Sequence, residues 1–303
     1  MKCNRWFVLG RESSNQGRRV KIAEVNWRDS GSKAGGGLGI TMDLDEERAQ
    51  FLALLNEERE EQAYQAYLEN HTRFIPHEFV QNHGIGLSLV IRKLPFGADY
   101  KTDFFYFSKS TDDWNAVFIE LEKPSSRFFR GNTNEFHGDF VHALQQINQW
   151  KAWFLSDQNK SGFLASVSAI QVPRHMARNP TYNKYVLVFG RRAEYEGNEH
   201  RRQLVKATET DDSKIITFDS LAEGLSQKPH LAVGSRHNQF IDILSDEVID
   251  AGMYAWMEPT QLQVSQALHT ELSKGGSNHF IFRDGARLEA LSAVAPLIRV
   301  RPA

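Results

Sequence analysis

Apolar residues recur along the chain with two different periods, and each change of period marks an element. Residues 18–28, "RRVKIAEVNWR", alternate polar and apolar around Val25 and Trp27 and predict a strand. From Asp43 to about Asn70 the spacing lengthens. Phe51, Leu54, Leu55, Tyr64, Tyr67 and Leu68 fall near a 3.6-residue repeat, which predicts one long helix with "NEEREEQ" as its solvated face. Three strand-like runs follow, "GIGLSLVIRKL" (84–94), "YKTDFFYFS" (100–108) and "NAVFIELEK" (115–123). Pro95, Gly97 and the "STDD" group separate them, and the last two runs read as a hairpin. A loop holding Ser125, Ser126 and Gly131 leads to a second long helix at about 136–155. Beyond it, "KYVLVFGRR" (184–192) predicts a buried strand, "EHRRQLVKATE" a helix, "KIITFD" (214–219) a strand, and "SLAEGL" the start of another helix.

This order predicts an α/β fold with a mixed central sheet flanked by helices. After about residue 226 the pattern changes. "NQFIDILSDEVIDAGMYAW", a helix over Thr260–Leu272, the strand "NHFIF" and a final helix suggest a small appended α+β region. Three segments result: an N-terminal extension with its strand (1–42), a core (43–225) and an appended domain (226–303). The Gly-rich "SGSKAGGGLG" lacks the Gly-Lys-Ser/Thr ending of a phosphate loop, so it reads as a flexible loop, and no nucleotide-cofactor motif is present.

Composition narrows the class. Hydrophobic residues make up 41% of the 303 and charged residues 24%, ordinary values for a soluble globular protein. No apolar run approaches the ~18 residues of a membrane helix, and the N-terminus has no secretory pattern. The single cysteine, Cys3, excludes an internal disulfide and a cysteine-rich zinc site. The expectation is a cytoplasmic protein with no membrane partner. A net charge of −2 argues against a protein that coats nucleic acid indiscriminately. Residues 172–206 nonetheless concentrate Arg and Lys, as either a nucleic-acid groove or a solvated basic surface.

The chemistry centres on "WNAVFIELEKP", residues 114–124. Strand side chains alternate faces, so Glu120 and Glu122 share one face. On the neighbouring run, Lys101 and Asp103 also share a face by parity. Pairing of the two runs brings Asp103, Glu120 and Glu122 together with Lys101 nearby. Three close carboxylates repel unless compensated, and a hard divalent cation such as Mg²⁺ compensates them. The other reading is a row of glutamates on a solvent-facing sheet edge. In the helix at 136–155, Ala143, Gln146, Trp150 and Trp153 form one stripe. Gln146 is thus an amide in an apolar face, and it needs a partner, either a water or scissile phosphate at a metal site or the backbone. His83, His137 and His142 lack metal spacing on any one helix.

These pieces resemble the PD-(D/E)XK nuclease pattern: an acid on one strand, Glu-x-Lys or a variant on the next, then a helix carrying Gln. More narrowly the chain resembles the Shedu family of bacterial antiphage nucleases. The matching stretches are "YQAYLENHTRFIP", "KTDFFYF", "VFIELEKP", "ALQQINQW" and "YVLVFGRRAEYEGNEHRRQLVKATETDDSKIITFDSL", across roughly residues 60–222. The resemblance implies a PD-(D/E)XK-type core in which Asp103 and Glu120 bind the metal and the Gln146 helix faces the site. It departs at Glu122, which stands where the family usually has Lys. Glu122 is then a further metal ligand or a general base, and Lys101 a substitute for the missing charge.

The implied activity is Mg²⁺-dependent DNA cleavage, with Mn²⁺ as an alternative ion, in defence against bacteriophage. Arg191, Arg192, Arg201 and Arg202 are candidates for holding the DNA backbone, since phosphate contacts position a duplex without reading it. Two other readings stay open: a silent DNA-binding or sensor protein on the same fold, and a repair or restriction nuclease. A homo-oligomer with occluded sites is the expected form of restraint.

Overall fold

The computed structural model describes residues 43–302, apart from 99, 239, 275–279 and 284–286. The strand expected at 18–28 and the Gly-rich loop lie outside the described residues. The described part belongs to one compact unit, Met42–Ala303.

The long helix expected over 43–70 is two helices, α1 (Leu44–Leu54) and α2 (Glu61–Asn70). Asp43 caps α1 through Asp45 N–H, and the first turn holds Asp45, Glu46 and Glu47, complementing the helix dipole. The break falls in "NEEREE". Tyr64 stabilises it: its hydroxyl donates to the Glu57 carbonyl at 2.5 Å and accepts from Arg59 N–H at 3.2 Å. Backbone groups freed by the break thus find a buried side-chain partner, and Glu61 becomes the first residue of α2.

Strands β1 (Leu89–Phe96), β2 (Tyr100–Lys109) and β3 (Trp114–Leu121) form an antiparallel meander, as the hairpin reading of the last two anticipates. Helices α3 (Gly138–Trp153) and α4 (Asp157–Ser166) follow, and the chain returns as β4 (Thr181–Val188), parallel to β3. Helix α5 (Glu199–Ala207) leads to β5 (Ser213–Ile216), parallel to β4, and the short α6 (Phe218–Leu221) closes this half.

The region after 226, expected as an appended domain, instead extends the same sheet. Strand β6 (Ala232–Arg236) pairs parallel to β1. Then come β7 (Ile241–Ile243), α7 (Met253–Trp256), β8 (Leu262–Val264), α8 (Gln266–Lys274), the hairpin β9 (Phe280–Arg283) and β10 (Arg287–Ala290), and β11 (Arg299–Val300). The nine-stranded mixed sheet runs β11-β8-β7-β6-β1-β2-β3-β4-β5. Strand β6 carries Ala-Val-Gly with Gly234 packed under Ile91 and Leu89, a close fit that its weak strand pattern conceals.

Each face of the sheet buries a core. One packs Phe105, Phe107 and Phe118 against Ile147, Trp150 and Phe163 and on to Leu268 and Leu272. The other packs Phe104, Tyr106, Val117 and Ile119 against Phe51, Tyr64, Leu68 and Phe218. A third cluster, Phe128, Phe129, Phe140, Leu187, Phe189 and Val205, fastens the loop after β3 to α3 and α5. Among the described residues no helix is long and apolar enough to cross a membrane.

Strict alternation fails at one place. The first core takes Leu89 and Ile91 from β1 but then Leu94 and Phe96; from β2 it takes Phe105 and Phe107, with Tyr100 packed against it. Both strands therefore change parity between these pairs. Lys93 sits at the break with a left-handed φ of 45°, and the register Arg92↔Phe104 and Leu94↔Thr102 sets it opposite Asp103.

Candidate functional site

At this break the meander, α2 and α3 bring acids together. Asp103, on β2, is buried, and its Oδ2 accepts from Leu121 N–H of β3 at 2.7 Å. Its Oδ1 takes the Lys93 ammonium, which also lies 3.8 Å from Glu61. Glu120, one residue before the end of β3, accepts from the Gln146 amide of α3 through Oε1, while its Oε2 is buried with no partner. Glu122 follows β3, and its N–H donates to Val188 O at 2.9 Å, carrying the β3–β4 pairing one residue further.

The carboxylates feel one another. Burial first, then the charges of Asp103, Glu61 and Glu122, push the Glu120 carboxyl well above the usual range, against the pull of the Gln146 hydrogen bond. Glu122 is pushed up to about 7, again by burial first, then by Glu61, Asp103 and Asp139, with Lys123 opposing. Glu61 is raised by burial and by Asp103, and lowered less strongly by Lys93 and Lys123. Sequence reasoning missed Glu61 and Lys93. Glu61 was hidden in an acidic run read as a solvated helix face, and Lys93 in a strand whose alternation gave no sign of the break.

Lys101 is exposed and makes no ion pair with Asp103; the parity argument that set them on one face does not cross the break. The cation on Asp103 is Lys93. Lys123 pairs with Glu60 at 2.7 Å. His137 caps α3, accepting from Asp139 N–H.

The four arginines lie elsewhere and have internal partners. Arg191 donates to Asp219 at 2.9 Å and, from α1's end, to the Leu55 carbonyl at 2.9 Å and the Asn56 side chain at 3.1 Å. Arg192 pairs with Glu223, and its N–H donates to Asp219. Arg201 donates to the carbonyls of Gly131, Thr133 and Glu194 and covers the Phe129 ring. Arg202 pairs with Glu199 on the α5 surface at 2.6 Å. Arg192, Tyr195, Asn198 and Arg202 line an open cavity of about 570 Å³. Gly190, at φ 53°, holds β4's end against the Ser126 carbonyl, where a Cβ would come within 2.7 Å.

The sequence from Glu58 to Ala222, more than half the chain, matches the family model described as Shedu protein SduA, C-terminal. The chain belongs to the Shedu family. Membership implies a part in antiphage defence. Among curated proteins none matches the chain. The Shedu match begins in the break before α2 and ends one residue beyond α6, so it takes in the meander and every carboxylate of the acidic site.

The donor set suits a hard divalent ion in kind: all four groups offer carboxylate oxygens, and one buried oxygen of Glu120 has no partner. Among the described residues, however, no three acids or histidines already close around a common point as a metal cage. Side-chain rotation, and release of Asp103 from Lys93, would be needed to make one.

Proposed function

We propose that this Shedu protein is a metal-dependent endodeoxyribonuclease on a PD-(D/E)XK-type core, acting on DNA in antiphage defence. The observation that carries the reading is Glu120: a buried carboxylate, one oxygen orphaned, set among three further acids with too little positive charge to offset them. Such an arrangement is costly to fold and is found where function requires it.

Asp103, Glu120 and Glu122 would hold Mg²⁺ or Mn²⁺, with Glu61 close by. The ion, when bound, supplies an activated water and neutralises charge on a phosphodiester. The chain's own groups do the rest. Leu121 N–H fixes one oxygen of Asp103, whose other oxygen Lys93 holds, and Gln146 fixes one oxygen of Glu120, whose other oxygen has no partner. Glu122, just past the end of β3, would serve either as a further ligand or as the base that takes a proton from water. DNA phosphates would meet Arg202 on the exposed face of α5, with Arg191, Arg192 and Arg201 holding the loops beside it. A homo-oligomer that occludes the acidic edge would restrain cutting of host DNA.

A catalytically silent DNA-binding or sensor protein is favoured by a specific observation: Lys93 already sits on Asp103. Incubating purified protein with linear and circular DNA, in Mg²⁺, Mn²⁺ or EDTA, beside Glu120→Ala, separates the two. Cutting that needs the ion and Glu120 is the expected result. No cutting with either ion on either substrate would overturn the nuclease reading in favour of the silent one.

A further inference from the structure

Among the described residues, Lys93 is the only cation paired with Asp103 or Glu61, and neither Glu120 nor Glu122 has a cationic partner. The pair is unequal in surroundings: the Asp103 side chain is 5% exposed, while that of Lys93 is 32% exposed. The carboxylate is fixed by the sheet, and the ammonium reaches it from the water side. A left-handed φ is uncommon for a residue with a side chain, and such strain is kept where the surroundings over-determine it. Here it turns Lys93 toward Asp103 at the point where β1 changes parity.

We propose that Lys93 gates the acidic site. Its ammonium occupies the cation position on Asp103 until a divalent ion takes the carboxylate, and then turns to the phosphate of a bound DNA strand. The first half follows from electrostatics. One monovalent charge offsets a cluster of four acids only in part, so a divalent ion held by Asp103, Glu120 and Glu122 competes for Asp103 against the hold of Lys93. The second half rests on the nuclease reading. Once released, a flexible lysine at the rim of the site is a point charge within reach of a phosphate oxygen, the charge that the chain lacks at Glu122. The gate keeps the metal-free site closed on itself.

Mn²⁺ titrations of the full chain by calorimetry, after EDTA treatment, test the gate in wild type, Lys93→Met and Lys93→Arg, with Lys274→Met as a control for loss of a surface charge. Lys93→Met is expected to bind Mn²⁺ roughly tenfold tighter than wild type. Lys93→Arg should bind it several-fold more weakly, because the planar guanidinium forks a carboxylate and holds it better. The same Lys93→Met protein should cut DNA about a hundredfold more slowly despite the tighter ion. Thermal unfolding with and without Mn²⁺ follows folding, and the gain in midpoint should be larger in Lys93→Met. If Lys93→Met does not fold, the Lys93→Arg shift still decides. Equal Mn²⁺ affinity in wild type and Lys93→Arg overturns the gate, as does absence of Mn²⁺ binding in all of them. Wild-type cutting by Lys93→Met overturns the phosphate role. If no protein cuts DNA but the affinity order holds, the nuclease reading falls and the gate is supported.

Discussion

The two charged regions of this protein follow opposite rules. Around Asp219 every charge is matched: Arg191 ties Asp219 to the end of α1, Arg192 takes Asp219 by its backbone and Glu223 by its side chain, and Arg201 gathers three carbonyls. At the broken strands four acids share one lysine, and a buried oxygen has no partner at all. The first region is complete as it stands and holds the fold. The second leaves the burial and mutual repulsion of its acids largely uncompensated. Charge density alone, which both regions have, does not separate a site from a brace; satisfaction does.

The contrast is sharpest under substitution. Glu120→Gln should abolish DNA cutting, a loss of about a thousandfold or more, while raising the thermal midpoint of the metal-free protein, because a repelling charge is gone and Gln146 still has an oxygen to meet. Loss of cutting with an unchanged or lower midpoint would mean that Glu120 is not strained. Arg191→Ala should do the reverse. Breaking its links to Asp219, Leu55 and Asn56 should cost about 2–3 kcal/mol, read as a lower urea midpoint with unchanged slope, whereas intrinsic Mn²⁺ affinity should hold.

Acid–base titration separates the regions more gently. Glu122 titrates at about 7 in the folded chain against 4.5 for the unperturbed group. The folded state therefore binds the extra proton between these values, so in EDTA stability is greatest below about pH 4.5 as far as this group is concerned, and falls as pH rises toward 7. The group is partly exposed, so screening leaves about 1–2 kcal/mol of this change. Glu122→Gln should flatten the slope, and saturating Mn²⁺ should cancel it. The smallest effect is expected at Arg202, whose pair with Glu199 is exposed on both sides. Arg202→Ala should shift stability by less than about 0.5 kcal/mol. If it touches a phosphate, the salt dependence of DNA binding should fall by about one unit of slope; an unchanged slope removes it from the interface.

Much of the core was legible because its periodicity is strong. The hairpin of β2 and β3 and the helix carrying Gln146 can be read from "YKTDFFYFS", "NAVFIELEK" and the Ala143–Trp150 stripe. Asp103, Glu120 and Glu122 were picked out on the same grounds, and the β2–β3 pairing that this choice presumed is present in the sheet. Three things were not legible. The break before Glu61 depends on the Tyr64 hydroxyl reaching back to Glu57, a tertiary contact inside an otherwise helical pattern. The parity change at Lys93 is invisible to any rule that extends alternation along a strand, which is why Lys101 was preferred. The continuation of the sheet through β6 was masked because Ala-Val-Gly-Ser-Arg is a poor strand by composition, and its partner β1 lies far back in the chain.

The order of strands has a consequence for how the chain reaches its native state. The middle of the sheet is the local meander β1-β2-β3, whereas β6 must wait for all the intervening chain before it can flank β1. Contacts near in sequence close first at the lowest entropic cost. Asp103 and Glu120 ride on that meander, so their repulsion enters during its assembly rather than after the sheet is complete. On the metal-dependent reading proposed above, an ion present while the chain folds would offset this repulsion as the meander forms, and so act as a template as well as a cofactor.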